Sequence, residues 1–313
     1  MGPMLEISHR TKDGGKAYSV QIPQFGLGVF LAPADGTCKN ACLWAIKAGY
    51  RHIDTAAVYR NEEEVGQAIV ESGLNRSDLF ITTKLRRVDA LGYQETLDRC
   101  EESLQKLGLD YVDLYLVHAP PENQSCRKDV WKAMEEILIS GKARAIGVSN
   151  YGPHHLEELL ENSNYGPSVN QIEIHLWLQR PYLIKATLNS GAVPMAYSPL
   201  ARGQKVNDEK LTLLSEKLGV TPAQIAIKWC MDRGYITIPK SANEKRIIEN
   251  IVRGIIHLDH SQSQRFRTDQ IVNNLDIRID FLEKNIDEAG VYNHIPHNPV
   301  SYTHLTLPTK RIV

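Results

Sequence analysis

The stretch RHIDTAAVYRNEEEVGQAIV, residues 51–70, joins a short β-branched and apolar run to a charged segment of helical character. Three consecutive glutamates, at 62–64, open the second part, where the dipole of a helix favours anionic side chains. We therefore interpret residues 51–56 as a buried strand and 61–70 as the helix that follows it. Asp54 falls near the end of the strand, and Tyr59 falls in the loop of this βα unit.

The same alternation recurs along the chain and predicts an α/β fold. Further helical segments are indicated at 93–107, 130–139 and 221–231 by their apolar periodicity. Strands that alternate with helices form a parallel sheet, and eight units match a (β/α)8 TIM barrel. The apolar runs occupy residues 25–30, 51–56, 80–85, 112–118, 145–150, 169–175, 192–200 and 235–241.

A doubly wound open sheet is the alternative to the barrel. Its dinucleotide-binding form needs G-x-G-x-x-G between a strand and a helix. The Gly-Leu-Gly sequence at 26–28 lacks both the third glycine and a following helix, so we favour the barrel, in one domain spanning residues 1–250. Ahead of it, strand-like residues and the Gly14-Gly15 pair predict an N-terminal β-hairpin.

Composition restricts the classes of partner. The chain has 313 residues, a net charge of −1 and 42% hydrophobic residues, which suits a globular protein and argues against a nucleic-acid surface. It has no apolar run of about 20 residues and no signal-peptide core. Five scattered cysteines without a CxxC pair indicate a reducing compartment. We expect a cytoplasmic protein with a small-molecule substrate and no nucleic-acid or membrane partner.

Polar residues at the predicted strand ends suggest acid–base chemistry, because active sites of such barrels lie at the carboxyl ends of the strands. Asp54, Lys84 and His118 end three of the strands. A lysine beside Tyr59 would lower the tyrosine pKa from about 10, and together the four form a proton donor for a carbonyl oxygen. Singly, each has a structural reading: a helix cap, a snorkelling lysine, a rim tyrosine and a hydrogen-bonded histidine.

Six motifs in order carry a family resemblance. They are RHIDTAAVYRNEEEVG (51–66), ITTKL (81–85), VDLYLVHAP (112–120), GVSNY (147–151), VNQIEIH (169–175) and IPKS (238–241). The chain resembles the aldo-keto reductase superfamily, in its aldose- and aldehyde-reductase-like form with the short loops of microbial or fungal members. The resemblance implies NADP(H)-dependent reduction of aldehydes or ketones, sugar-type carbonyls included, with a hydride from nicotinamide and a proton from Tyr59.

The resemblance also implies the residues of the site. Asp54, Tyr59, Lys84 and His118 match the catalytic tetrad, and histidine at 118 rather than glutamate points to carbonyl reduction. Ser149, Asn150 and Gln171 match the residues that bind the carboxamide, and Tyr197 matches the residue that stacks on the nicotinamide ring. Lys240 and Arg246 match the contacts to the 2′-phosphate. Glu249 and Asn250 match the contacts to the adenine. Other cofactor contacts are expected at Gly28, Val29, Ser198, Leu200 and Ser241, and a substrate pocket at Phe30 and Ala119.

The C-terminal region departs from the family pattern. Residues 251–299 are divergent, as an intron, a frameshift or a lineage-specific insertion would make them. The segment 300–309 (VSYTHLTLPT) matches a translated sequencing adapter, so we expect 300–313 to be a processing scar outside the fold. His294, His297 and His304 lie there, and we expect no metal site. The alternatives to a reductase are a non-catalytic NADP(H)-binding regulatory or structural barrel, or a chain inactivated by this tail. The resemblance is compatible with a monomer or a weak homodimer.

Overall fold

The computed structural model describes residues 2–86, 92–205 and 207–251. Within these ranges a two-stranded antiparallel hairpin precedes an eight-stranded parallel sheet, and helices follow most of the strands of that sheet. The hairpin is β1 (Met4–Arg10) and β2 (Lys16–Pro23), and the sheet is β3 (Leu27–Gly28), β4 (His52–Asp54), β5 (Phe80–Leu85), β6 (Val112–Val117), β7 (Ala143–Ser149), β8 (Val169–Glu173), β9 (Val193–Tyr197) and β10 (Ile236–Ile238). The predicted TIM barrel and its eight strands are confirmed.

The sheet runs in chain order from β3 to β10 and closes on itself. The amide of Gly26 donates to the Thr237 carbonyl at 3.0 Å, and that of Gly28 donates to the Pro239 carbonyl at 3.1 Å. A Cβ at Gly28 would lie 3.0 Å from the Ile238 carbonyl oxygen, so glycine permits the close approach of β3 and β10. Strands buried on both faces, as β5 and β6 are, explain the continuous apolar runs.

The helices surround the barrel. They are α1 (Thr37–Ala48), α2 (Glu62–Glu71), α3 (Tyr93–Leu107), α4 (Gln124–Ile139), α5 (Pro153–Asn162), α6 (Pro181–Asn189), α7 (Glu209–Leu218), α8 (Pro222–Asp232) and α9 (Glu244–Asn250). Helix α3 has its predicted bounds. Helix α4 begins at residue 124 rather than 130, because the Asn123 side chain caps it by accepting from the Ser125 amide at 2.9 Å.

The predicted hairpin is present and covers the amino-terminal end of the barrel. Ile7 of β1 and Ile22 of β2 are fully buried and belong to one apolar cluster with Leu114 and Ile236 of the barrel strands. His9 is also buried, with its Nδ1 2.7 Å from the Gly166 carbonyl oxygen. The floor of the barrel is therefore closed, and the carboxyl ends of the strands form the accessible mouth.

The remainder of the predicted domain organisation concerns the tail. Apart from residue 251, the segments 251–299 and 300–313 and the three histidines in them lie outside the described residues. Of the helices described, none has the length and apolar character that crossing a membrane requires.

Candidate active site

The four predicted catalytic residues meet at the carboxyl end of the barrel. Asp54 ends β4, a 3₁₀ turn at Ala57–Tyr59 follows it, Lys84 lies on β5, and His118 comes directly after β6. The Lys84 Nζ atom donates to Asp54 Oδ1 at 2.5 Å, to the Thr55 carbonyl oxygen at 2.8 Å and to the Tyr59 hydroxyl at 3.4 Å. Lys84 is fully buried and Asp54 is 2% exposed. The ammonium therefore bridges the carboxylate and the phenol.

The direction of these bonds determines where the tyrosine proton points. A lysine ammonium can only donate hydrogen bonds, so the Tyr59 oxygen accepts from Lys84. The hydroxyl hydrogen of Tyr59 is left to point elsewhere. The ring of His118 lies edge-on to that of Tyr59, with centroids 5.6 Å apart, and its backbone carbonyl accepts from Asn150 Nδ2 at 3.0 Å.

Burial governs the protonation of this group. It raises the pKa of Asp54 and lowers the pKa of Lys84, and in each case the charge of the partner opposes the shift. Burial, with the nearby Asp54 carboxylate, raises the pKa of Tyr59 well above its ordinary value. The sequence-based expectation that Lys84 would lower this pKa is wrong, because burial disfavours the phenolate and the Asp54 carboxylate acts in the same direction. The phenol is thus protonated at neutral pH.

The residues expected to hold the carboxamide lie beside this group. Ser149 Oγ donates to the Gln171 carbonyl at 2.9 Å, and the Tyr197 hydroxyl donates to Asn150 Oδ1 at 3.0 Å. Asn150 has a φ of 60°, a left-handed conformation that is costly away from glycine and clusters at functional sites. Gln171 is 2% exposed, and its Nε2 donates to Asp54 Oδ2 at 2.7 Å.

The predicted phosphate contacts form a second, cationic group. Lys240 follows β10, Arg246 lies in α9, and both are exposed. Neither forms an ion pair with a carboxylate among the described residues. Partial burial and then the Arg246 charge lower the pKa of Lys240, so the two cations repel each other. An anion placed between them would relieve that repulsion.

Gly28 and Val29 link the two groups. Gly28 pairs with Asp54 on one side and with Lys240 on the other, and the Val29 amide donates to the Asp54 carbonyl at 3.0 Å. Both residues are buried. The other expected cofactor contacts differ in solvent exposure. Ser198, Leu200 and Glu249 are half-buried, whereas Ser241 and Asn250 are only 7% and 6% exposed.

Phe30 and Ala119 differ in exposure. Phe30 is 47% exposed, and its ring lies 5.1 Å from that of Tyr59, whereas Ala119 is only 7% exposed. Phe30 therefore offers apolar surface beside Tyr59, and Ala119 offers little.

Asn61 is a supporting residue that the sequence analysis assigned only to the start of a helix. Its Nδ2 donates to the carbonyls of Val29 and Ala32, both at 3.0 Å, and its Oδ1 accepts from Thr55 Oγ1 at 2.7 Å. Asn61 thereby joins the loop that carries Phe30 to the segment that follows Asp54. The polarity of residue 61 was visible in the sequence, but its partners were not.

Known proteins are similar to this chain in sequence and in architecture. A sequence profile described as the Aldo/keto reductase family matches residues 37–268. A glyoxal reductase from Bacillus subtilis is 47% identical over 240 residues, which cover 76% of this chain and 86% of that protein.

Two solved structures extend the comparison. An aldo/keto reductase from Brucella melitensis has a TM-score of 0.75 and 38% identity, covering 88% of this chain and 98% of its own. A Bombyx mori aldo-keto reductase solved in complex with NADP has a TM-score of 0.73 and 35% identity, covering 91% and 97%. With the barrel and the bridged Asp54–Lys84–Tyr59 group, these likenesses show that the chain belongs to the aldo-keto reductase family.

Proposed function

We propose that this protein is an NADPH-dependent reductase of aldehydes and ketones in which Tyr59 supplies the proton. The family assignment makes it an oxidoreductase that binds a nicotinamide cofactor and acts on small carbonyl compounds. The observation that carries the finer proposal is the Lys84 ammonium, which contacts both the Asp54 carboxylate and the Tyr59 hydroxyl. This arrangement supports a proton donor at the mouth of the barrel.

Each residue of the group has a separate task in the proposed reaction. Bound in the site, the cofactor supplies a hydride to the carbonyl carbon. Tyr59 donates its hydroxyl proton to the carbonyl oxygen, and the adjacent Lys84 stabilises the phenolate that remains. Asp54 keeps Lys84 charged and oriented, and His118 donates a hydrogen bond that orients the carbonyl oxygen.

The residues present suit NADP(H) at both ends of the cofactor. Gln171 donates through Nε2 to Asp54 and towards the Met195 sulfur, and no described residue donates to its Oε1. Oε1 can therefore accept from the amide nitrogen of the carboxamide. Lys240 and Arg246, which lack described carboxylate partners, suit a 2′-phosphate dianion. The NADP complex of the Bombyx mori relative is consistent with this preference.

The proposed substrates are aldehydes and ketones, sugar-type carbonyls included. The similar Bacillus subtilis protein is named for reduction of glyoxal, a small dicarbonyl. The exposed Phe30 ring beside Tyr59 would contact the apolar part of a larger carbonyl compound. We therefore expect activity on simple aldehydes, with preference among them depending on that contact.

Tyr59→Phe tests the proposal because it removes the proton and leaves the ring. We expect turnover to fall by about two to four orders of magnitude, while the NADPH dissociation constant from fluorescence titration stays within about twofold of wild type. Tyr182→Phe, at a tyrosine 58% exposed, is the matched control and should retain full activity. Undiminished turnover in Tyr59→Phe would rule out Tyr59 as the donor, and NADPH binding without turnover in wild type would favour the non-catalytic alternative.

The setting of the activity belongs to the same proposal. The cysteines 38, 42, 100, 126 and 230 are free thiols, which suits the reducing cytoplasm. We propose a monomer or weak homodimer that acts there without a nucleic-acid or membrane partner. Sedimentation of the purified chain and microscopy of a fluorescent fusion would test these two points, and a stable higher oligomer or an extracytoplasmic signal would contradict them.

A further inference from the structure

Gln171 is in direct contact with the proposed proton-donating group. Its Nε2 lies 2.7 Å from Asp54 Oδ2, while Lys84 Nζ lies 2.5 Å from Asp54 Oδ1. The two oxygens of the buried carboxylate are thus held by different strands, β5 through Lys84 and β8 through Gln171. Asp54 and Gln171 are separated by 117 positions in the chain, and only the closed barrel brings them together.

Hydrogen-bond chemistry fixes which end of the glutamine amide faces Asp54. An ionised carboxylate only accepts hydrogen bonds, so the amide nitrogen must point towards Asp54 and the amide oxygen away from it. The same orientation leaves Oε1 as the atom that can accept from the cofactor carboxamide. One side chain therefore serves the carboxylate and the cofactor at once.

We propose that Gln171 is a positioning residue for Asp54, holding its second oxygen so that the carboxylate stays ionised and directed at Lys84. The inference rests on the proposed function, since it assigns Gln171 an action on Tyr59 through Asp54 and Lys84. Burial raises the pKa of Asp54, and the hydrogen bond from Gln171 opposes that rise together with Lys84. Loss of the amide donor therefore favours the neutral carboxyl group, which holds Lys84 less well.

Several titratable groups around Asp54 must be considered before a pH dependence of activity is assigned to it. Lys84 faces it from β5, and burial raises the pKa of Tyr59 on the following loop and of Tyr197 on β9 above the assay range. Burial lowers the pKa of His52 on β4 to about 3. Glu62 on α2 acts on Lys84 through its charge, and His118 lies beside Tyr59. All of these remain in place in each variant, so a comparison between variants isolates residue 171.

The test is the pH dependence of kcat at saturating NADPH and aldehyde. Gln171→Met keeps the length of the side chain without the donor, and Gln171→Glu sets a second carboxylate against Asp54. We expect the acidic limb to move to higher pH in Gln171→Met and further in Gln171→Glu. On that limb kcat of Gln171→Met should fall about tenfold relative to wild type, equivalent to about 1.4 kcal/mol.

Asn170→Leu is the matched control on the same strand. The Asn170 amide is buried and donates to the Tyr151 carbonyl and to Thr187 Oγ1, away from Asp54. The Asn170→Leu substitution should lower the free energy of unfolding without moving the acidic limb of the kcat profile. A wild-type limb in Gln171→Met, with only KM for NADPH raised, would overturn the proposal and leave Gln171 as a cofactor contact. Should Gln171→Met not fold, the limb of Gln171→Glu decides by the same criterion.

A second readout separates this inference from the proposed reaction. The infrared band of the protonated Asp54 carboxyl group, identified by its loss in Asp54→Asn, can be followed with pH in the NADPH-free protein. We expect it to appear at higher pH in Gln171→Met than in wild type, whether or not the chain turns over. Coincident titrations would refute the positioning role, whereas activity of Tyr59→Phe would refute the proposed donor alone.

Discussion

The Asp54–Lys84 ion pair has different consequences for turnover and for thermal stability, and three variants distinguish the two. Asp54→Asn leaves the fully buried Lys84 ammonium without its counterion, and Lys84→Met leaves the Asp54 carboxylate with Gln171 as its remaining described side-chain donor. Removing one partner of a buried pair costs roughly 3–5 kcal/mol, because an uncompensated charge stays in the interior. The double variant removes both charges.

The magnitudes follow from burial. Lys84 and Asp54 side chains are 0% and 3% exposed, so solvent screens neither charge. In a domain of 150–250 residues each kcal/mol lowers Tm by about 2–4 °C, which predicts a fall of about 6–20 °C for each single variant. Replacing both partners of a buried pair with well-packed hydrophobic residues is often neutral or stabilising by about 1–4 kcal/mol. In the double variant no charge is left uncompensated, but the amide introduced by Asp54→Asn stays buried, so we expect this variant to recover most of the Tm lost in the single variants.

Thermal unfolding of the four proteins, read by circular dichroism at neutral pH, gives the comparison. We expect both single variants and the double variant to be inactive, with stability restored only in the double variant. A double variant whose loss of Tm equals the sum of the single losses would refute the coupling. A double variant that reduces aldehydes would refute the role of the pair in catalysis.

Three further predictions concern other parts of the molecule. Arg246→Ala should raise the NADPH dissociation constant about tenfold to a hundredfold and leave that for NADH within about twofold, as titration would show. Burial lowers the pKa of His9 to about 4, so on acidification the imidazole of His9 is protonated in the unfolded chain before it is protonated in the folded one. From pH 7 to pH 5 the free energy of unfolding of wild type should therefore fall by about 2 kcal/mol more than that of His9→Gln. Gly66→Ala should cost about 1–3 kcal/mol in denaturant unfolding, because its Cβ would lie 2.2 Å from the Leu107 carbonyl oxygen.

Each of these has an outcome that contradicts it. Equal losses of NADPH and NADH affinity in Arg246→Ala would show that Arg246 does not contact the 2′-phosphate. Parallel acid losses in wild type and His9→Gln would show that His9 is not held neutral, although its Nε2 accepts from the Ile146 amide at 3.3 Å. Unchanged stability in Gly66→Ala would show that α2 and α3 can separate, with alanine at the exposed neighbour Gln67 as the control.

The barrel was predictable because its strands are buried on both faces and alternate with helices in a fixed order. The start of α1 was not predictable, because its amino end is capped by a side chain of another helix. Glu64 of α2 accepts hydrogen bonds from the amides of Gly36 and Lys39 at 2.6 and 2.9 Å. A local pattern cannot reveal a cap that lies about 25 residues further along the chain. The helix start of α4 was misjudged for the related reason that a polar cap, Asn123, precedes its apolar face.

The site was predictable as a set of residues but not as a set of contacts. Their places after predicted strands indicate that Asp54, Lys84, Tyr59 and His118 share the mouth of the barrel, and in the structure they do. The predicted direction of the Tyr59 pKa shift was wrong, because the shift depends first on the burial of the phenol and then on the nearby Asp54 charge, neither of which a local sequence pattern shows. The bond from Gln171 to Asp54 likewise depends on distances that only the folded chain defines.

The central claim is that this chain reduces carbonyl groups with NADPH, and one measurement tests it most directly. The full 313-residue chain is incubated with NADPH carrying deuterium at the transferable position and with a simple aldehyde. We predict one molecule of alcohol for each NADPH consumed, with deuterium on the former carbonyl carbon. Saturable NADPH binding without cofactor oxidation, or alcohol formed without deuterium, would contradict the account.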